Sequence, residues 1–175
     1  MTVLEALTEG RRSLPRRDGL PDPAREARWL LAAAWGVGET WLRVHQEADV
    51  PTAVVARFHD WTRRRAAGEP AHHLTGSCPF SGRDFAVSPA VLVPRPETEL
   101  LVQLALELPL SRHARILDVG TGSGCIAVTL AAERPRWQVV AVDRSLAALA
   151  VARRNATVHG TEVRLLAAAL TAADP

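Results

Sequence analysis

Residues 115–127, R-I-L-D-V-G-T-G-S-G-C-I-A, set a carboxylate, Asp118, ahead of three glycines at alternate positions. Gly120, Gly122 and Gly124 enclose two hydroxyl side chains, Thr121 and Ser123. Ile116, Leu117 and Val119 lead in as a short apolar run and an alanine-rich apolar stretch leads out, so the pattern predicts strand, tight turn and helix. In an open α/β sheet such a turn lies outside the carboxyl end of its strand, at a helix N-terminus, and holds a nucleotide-type ligand. Gly120 allows the sharp turn, Gly122 a close backbone approach to a ligand, and Gly124 close packing of helix on strand. A second carboxylate, Asp143, stands 143 − 120 = 23 positions after Gly120, at the end of the apolar run W-Q-V-V-A-V. An acid at that strand tip accepts hydrogen bonds from both hydroxyls of a ribose. The plainer alternative makes the glycines an ordinary turn and Asp143 a helix cap. Strand, turn, helix, strand and terminal acid in register favour the binding site.

The spacing also bears on the ligand. A dinucleotide turn should read G-x-G-x-x-G/A. Counted from Gly120 it fails at Cys125-Ile126; counted from Gly122 it is met by Gly124 and Ala127, but two residues late relative to the strand. The form D-x-G-x-G-x-G, with Asp118 inside the strand end, is the pattern of S-adenosylmethionine binding. That ligand has no pyrophosphate, and its sulfonium and amino acid tail lie over the glycine turn, where Asp118 can orient the cationic tail directly or through water. Upstream, V-L-V-P-R-P-E-T-E-L-L-V holds its backbone extended at Pro94 and Pro96. Glu97 and Glu99 then fall in the first turn of a helix, where acids suit the dipole. Arg95, with Glu97, Thr98 and Glu99, either shapes the cofactor or substrate cleft or serves only the helix start.

The elements that must carry these residues fall into three stretches. Residues 1–70 read as helices: one from Val3 ending near Gly10 or in the polar stretch 16–19, one opened by Asp22-Pro23 and stopped at Gly36, a short one over 38–46, and one from Pro51 to Gly68. Trp29, Trp35, Trp41 and Trp61 are read as core anchors of this bundle. Arg63-Arg64-Arg65 is read as a solvated helix end rather than a nucleic-acid surface. Residues 71–94 alternate apolar and polar around Gly76 and Gly82, as a hairpin does, which would turn His72 and His73 to opposite faces of a strand. Residues 95–175 carry the α/β pattern, with a helix to Glu133, a strand ending at Asp143, a helix from Ser145 to about His159 and a third strand from Val163. The expected fold class is therefore α/β: a small N-terminal helical bundle, a β-hairpin linker, and the first half of a Rossmann-like domain.

Bulk properties exclude several classes. The 175 residues are 47% hydrophobic and 23% charged, with a net charge of +2, which is the composition of a soluble globular chain and argues against a charge-driven nucleic-acid binder. No apolar run reaches the roughly 18 residues of a membrane helix, and the N-terminus lacks a signal-peptide pattern, so a cytoplasmic protein is expected. All 21 basic residues are arginine, a compositional bias. Cys78 and Cys125 have neither disulfide nor metal-ligand spacing, and no metal is expected.

Four further stretches sharpen the reading. R-A-A-G-E-P-x-x-x-L-T-G, F-x-V-S-P-x-V-L-V-P-R-P-E-T-E, I-L-D-V-G-T-G-S-G-C-I-A and V-V-A-V-D-R-S followed by A-R-R-N-A closely resemble the release-factor glutamine methyltransferases over residues 64–160. The resemblance implies methyl transfer from S-adenosylmethionine to the side-chain amide of the glutamine in the Gly-Gly-Gln motif of a peptide chain release factor. It implies further that the helical domain grips the factor. The chain departs from the family twice. The family's Asn-Pro-Pro-Tyr signature, which orients the substrate amide, is absent from these 175 residues, so this chain is expected to be a truncated copy without turnover of its own. Ala167, Ala168 and Ala169, with Leu170, stand where the family has an acid for the adenine amino group. A non-catalytic module that binds a release factor or the cofactor is the alternative, and an NAD-linked oxidoreductase is disfavoured by the glycine register.

Overall fold

The computed structural model describes residues 1–16 and 22–168, in two compact units, Met1–Thr75 and Gly76–Pro175. The first unit is helical. α1 (Val3–Ser13) starts at a capping box in which the Thr2 hydroxyl accepts from the Glu5 N–H and the Glu5 carboxylate accepts from the Thr2 N–H. α2 (Pro23–Trp35) is capped by Asp22 and ended by Gly36 in the left-handed region. α3 (Glu39–Val44), α4 (Thr52–Ala66) and the short α5 (Ala71–Thr75) complete it. Leu30, Leu31, Leu42, Phe58 and Val3 are fully buried between the helices. The tryptophans Trp29, Trp35, Trp41 and Trp61 are only partly buried and pack around this aliphatic centre. They form its margin, where a bulky ring can cover apolar surface and keep its N–H near water.

Two local expectations change here. His72 and His73 lie on α5, not on a strand, because the segment after Pro70 closes helical bonds from the His73 and Leu74 N–H groups to the Pro70 carbonyl. The arginine run is also not simply solvated. Arg63 and Arg64 pair with Asp60, Arg64 takes Glu69 in a two-pronged bond, and Arg65 Nε donates to Glu26 Oε1 at 2.6 Å. Glu26 is 5% exposed and Arg65 11%, so α2 and α4 are joined through a buried ion pair.

The second unit opens with an antiparallel hairpin, β1 (Ser77–Phe80) and β2 (Arg83–Ala86), in register Ser77 to Ala86. After it come α6 (Pro96–Glu107), β3 (Arg115–Val119), α7 (Cys125–Glu133), β4 (Gln138–Asp143), α8 (Leu146–Val158) and β5 (Val163–Ala167). The three later strands form a parallel sheet in the order β3-β4-β5, with Ile116 beside Val139 and Val139 beside Val163. Side chains alternate across a strand, so Ile116, Val139, Ala141, Val163 and Leu165 share one face. That face joins Ala127, Val128, Leu130 and Ala156 of α7 and α8 in one core. The opposite face carries Leu117, Val119 and Leu166, which are exposed. Among the described residues no helix is long and apolar enough to cross a membrane.

The buried ion pair gives a test of the helical unit. Removing one partner leaves an unpaired charge out of water, which costs about 3–5 kcal/mol, whereas replacing both by apolar residues of similar volume is often neutral or stabilising. Arg65→Ala should therefore lower the denaturant midpoint of the helical unit sharply, and the double variant Glu26→Leu, Arg65→Met should recover most of the loss.

Candidate functional site

The site is built by the turn between β3 and α7. Gly120, Gly122 and Gly124 have φ of +75°, +55° and +79°, a region that side chains with a Cβ rarely adopt. This conformation folds the turn onto the end of β4. The Gly120 and Thr121 N–H groups both donate to the Val142 carbonyl, at 2.9 and 3.0 Å. The Gly122 N–H donates to Asp143 Oδ2 at 3.0 Å, and the Gly124 N–H donates to the Thr121 carbonyl at 2.8 Å. Four of the five turn amides are thus engaged within the protein. Over Gly120 a Cβ would meet open space, so the turn presents an uncovered backbone surface there. Gly124 is different. A Cβ on it would lie 3.0 Å from Ala152 Cβ, so its close approach is to α8, not to the strand as the motif suggested.

Two carboxylates flank the turn. Asp118, half-buried at the end of β3, accepts from the Thr121 hydroxyl at 2.7 Å. Burial pushes its pKa above the ordinary carboxylate range, the Thr121 hydrogen bond opposes that, and the nearby charge of Asp143 adds to it. Asp143 closes β4: its Oδ1 accepts from the Ser145 N–H at 2.9 Å while Oδ2 holds Gly122. Each oxygen keeps a further lone pair. Asp143 therefore ties the turn to the start of α8, whose Ser145 hydroxyl caps Ala148. Thr121 and Ser123 are buried, so their hydroxyls are part of the turn's construction. At the end of β5 the Ala168 N–H donates to the Asp143 carbonyl at 3.1 Å, while Ala169 and Leu170 lie outside the described residues.

The proline-flanked segment is largely exposed. Arg95 is exposed at the N-cap of α6 and makes no side-chain cap bond, and Glu97 is exposed in the first turn. The Thr98 N–H donates to the Arg95 carbonyl. Glu99 has a definite structural task. Its Oε1 accepts from the Ser81 N–H at 2.9 Å, across 18 residues, and so holds the hairpin turn where Ser81 has φ +47°. Sequence reasoning passed over Asn155, which is 1% exposed and bonds both the turn and the hairpin. Its only signal was an amide side chain on the buried face of α8. Among the described residues no cluster of His, Cys, Asp and Glu could hold a metal ion. Cys78 is buried, which pushes its thiol up to about 11 and makes it a packing residue.

Two family models cover most of the chain: the PrmC N-terminal domain over residues 5–76 and the methyltransferase small domain over residues 96–174. The release factor glutamine methyltransferase of Koribacter versatilis is 45% identical over 157 residues, covering 89% of this chain and 56% of its own length. That of Burkholderia pseudomallei is 50% identical over 137 residues, 78% of this chain and 48% of its own. That of Deinococcus radiodurans is 39% identical over 173 residues, 98% of this chain and 62% of its own. The chain thus spans about half of the length of the curated relatives it matches. Among solved structures, a Pyrococcus abyssi tRNA (uracil-54, C5)-methyltransferase in complex with S-adenosyl-L-homocysteine overlays 53% of this chain and 23% of its own. The TM-score is 0.45 at 22% identity, and the fold assignment rests on this chain's own strand order.

The turn yields two stability tests. Gly120→Ala meets only an unfavourable φ, at about 1 kcal/mol, whereas Gly124→Ala adds the collision with Ala152 and should cost clearly more in thermal unfolding. Because the folded-state pKa of Asp118 is raised, its protonated form favours folding; that contribution is complete below the unfolded pKa of about 3.9 and is lost as pH rises through the folded value. Asp118→Asn should therefore gain stability relative to the unaltered chain as pH rises from 4 to 7.5.

Proposed function

Since the chain belongs to the release factor glutamine methyltransferase family, we propose that the turn over residues 118–124 binds S-adenosylmethionine. In the whole protein, the methyl group would pass to the side-chain amide of the Gly-Gly-Gln glutamine of a peptide chain release factor. One observation carries the cofactor reading. Asp118 and Asp143 bring two carboxylates to a turn whose amides are largely engaged internally. A pyrophosphate laid there would meet two negative charges and few free N–H donors. A ligand with a sulfonium, an α-ammonium and a ribose diol meets what such a site lacks. Asp118 would hold the ammonium and Asp143 the ribose hydroxyls with its remaining lone pairs, while the N-terminus of α7 suits the ligand's own carboxylate.

Bound there, S-adenosylmethionine supplies an electrophilic methyl group. An amide nitrogen is a weak nucleophile, so catalysis in this reading is orientation and electrostatics, not deprotonation. The residues described here hold and orient the cofactor. The Asn-Pro-Pro-Tyr signature that would orient the amide does not occur in the 175 residues, and in this reading the residues that are present contribute cofactor binding. The helical unit, which the PrmC N-terminal domain model matches, would dock the release factor. Arg95 and Glu97, exposed ahead of α6, would shape the substrate side of the cleft.

Calorimetry with S-adenosylmethionine and, separately, with NAD tests the cofactor: heat is expected from the first only, and binding of NAD alone would overturn the reading. Asp143→Ala should weaken the cofactor by about 1–3 kcal/mol, the cost of stranding buried hydrogen-bond partners. Affinity should also fall as pH is lowered through the raised pKa of Asp118, because a bound cation favours the ionised carboxylate.

A further inference from the structure

Asn155 lies in α8 with a side chain that is 1% exposed. Its amide makes three bonds. Nδ2 donates to the Ser123 carbonyl at 2.8 Å and to the Ala86 carbonyl at 3.0 Å, and Oδ1 accepts from the Ala86 N–H at 2.8 Å. Toward Ala86 the side chain behaves as a strand neighbour would, satisfying both backbone groups on the outer edge of β2. Toward Ser123 it fixes one peptide plane of the glycine turn. That plane is held from its other side too, since the Gly124 N–H belongs to the same peptide and donates to Thr121. With its carbonyl and its N–H both bonded, the Ser123–Gly124 peptide cannot rotate without breaking a buried bond.

We propose that Asn155 is a positioning residue of the cofactor site: it sets the Ser123–Gly124 peptide, and through it the shape of the turn, while anchoring the hairpin independently. The inference rests on the reading that the turn binds S-adenosylmethionine. Asn155 touches no ligand in this account and acts only through Ser123. His159, the C-cap of α8, places Nε2 3.0 Å from the Asp84 carbonyl of β2, a contact that leaves the glycine turn untouched. The two ends of the Asn155 amide therefore have separable effects.

Asn155→Asp keeps the size and the acceptor for the Ala86 N–H but turns a carboxylate oxygen toward two carbonyl oxygens. Ala86→Pro removes the hairpin-side N–H and leaves the Ser123 bond. Both variants and the unaltered chain are titrated with S-adenosylmethionine and compared by amide NMR spectra. Asn155→Asp should weaken binding roughly tenfold or more, as expected for a lost buried hydrogen bond, and shift the Gly122, Ser123 and Gly124 signals while Val140 and Ala141 of β4 stay in place. Ala86→Pro loses a bond only on the hairpin side and should bind within about twofold of the unaltered chain. Equal affinity in Asn155→Asp, or an equal loss in both variants, overturns the proposal. If the unaltered chain does not bind S-adenosylmethionine, the cofactor reading fails instead, and the Asn155→Asp shifts in the free protein still decide the positioning role. Should Asn155→Asp not fold, hydrogen exchange on the unaltered chain decides it: the Gly124 amide must be protected well beyond a surface amide, and exchange of Gly124 with the protection of a surface amide overturns it.

Discussion

The parallel pairing of β3 with β4 ends in a knot of hydrogen bonds at Val142 and Asp143, and the second unit depends on it. The Val142 carbonyl accepts from two successive turn amides, and the Asp143 carboxylate accepts from Gly122 on one side and Ser145 on the other. The knot stops both strands at the same level, folds the turn back over β4, and starts α8 in the direction that returns it across the sheet. A turn so closed requires left-handed backbone at alternate positions, which only glycine supplies cheaply. The glycines are therefore demanded first by construction, and the uncovered surface over Gly120 follows from it.

The same knot concentrates negative charge. Asp118 is half-buried near Asp143, no arginine forms a salt bridge with either among the described residues, and burial first, then the charge of Asp143, raises its pKa. A charge left partly uncompensated out of water weakens a fold. The Arg65–Glu26 pair of the helical unit is the contrasting case, two buried charges that satisfy one another and leave nothing for a ligand.

The parallel sheet is finished on one face only. Ile116, Val139, Ala141 and Leu165 are packed against α7 and α8, while Leu117 is 62% exposed on the opposite face and Val119 and Leu166 are exposed with it. The matched stretch makes up 56% and 48% of the length of two curated relatives. The face beneath the glycine turn, by contrast, is covered by α7 and α8 within the residues described.

Most elements were legible in the sequence because their signals are local. Asp22-Pro23 and Gly36 bracket α2 and Ser145 caps α8, each by bonds that reach only a few residues, and the glycine turn separates β3 from α7 by residue type. The helix at His72 and His73 was misread because its first bonds close on Pro70, and alternation of polar and apolar residues over so short a stretch does not distinguish helix from strand. The sequence by itself determined the backbone of the turn and the presence of two acids beside it, since left-handed φ and strand-end carboxylates are fixed by residue type and spacing. Only the tertiary structure decided what those groups touch. That Gly124 yields to Ala152, that Glu99 holds Ser81, that Asn155 joins Ser123 to Ala86, and that the turn amides are already engaged are contacts across 18 to 69 residues or between separate strands. Such contacts depend on how the elements pack, which no local pattern encodes.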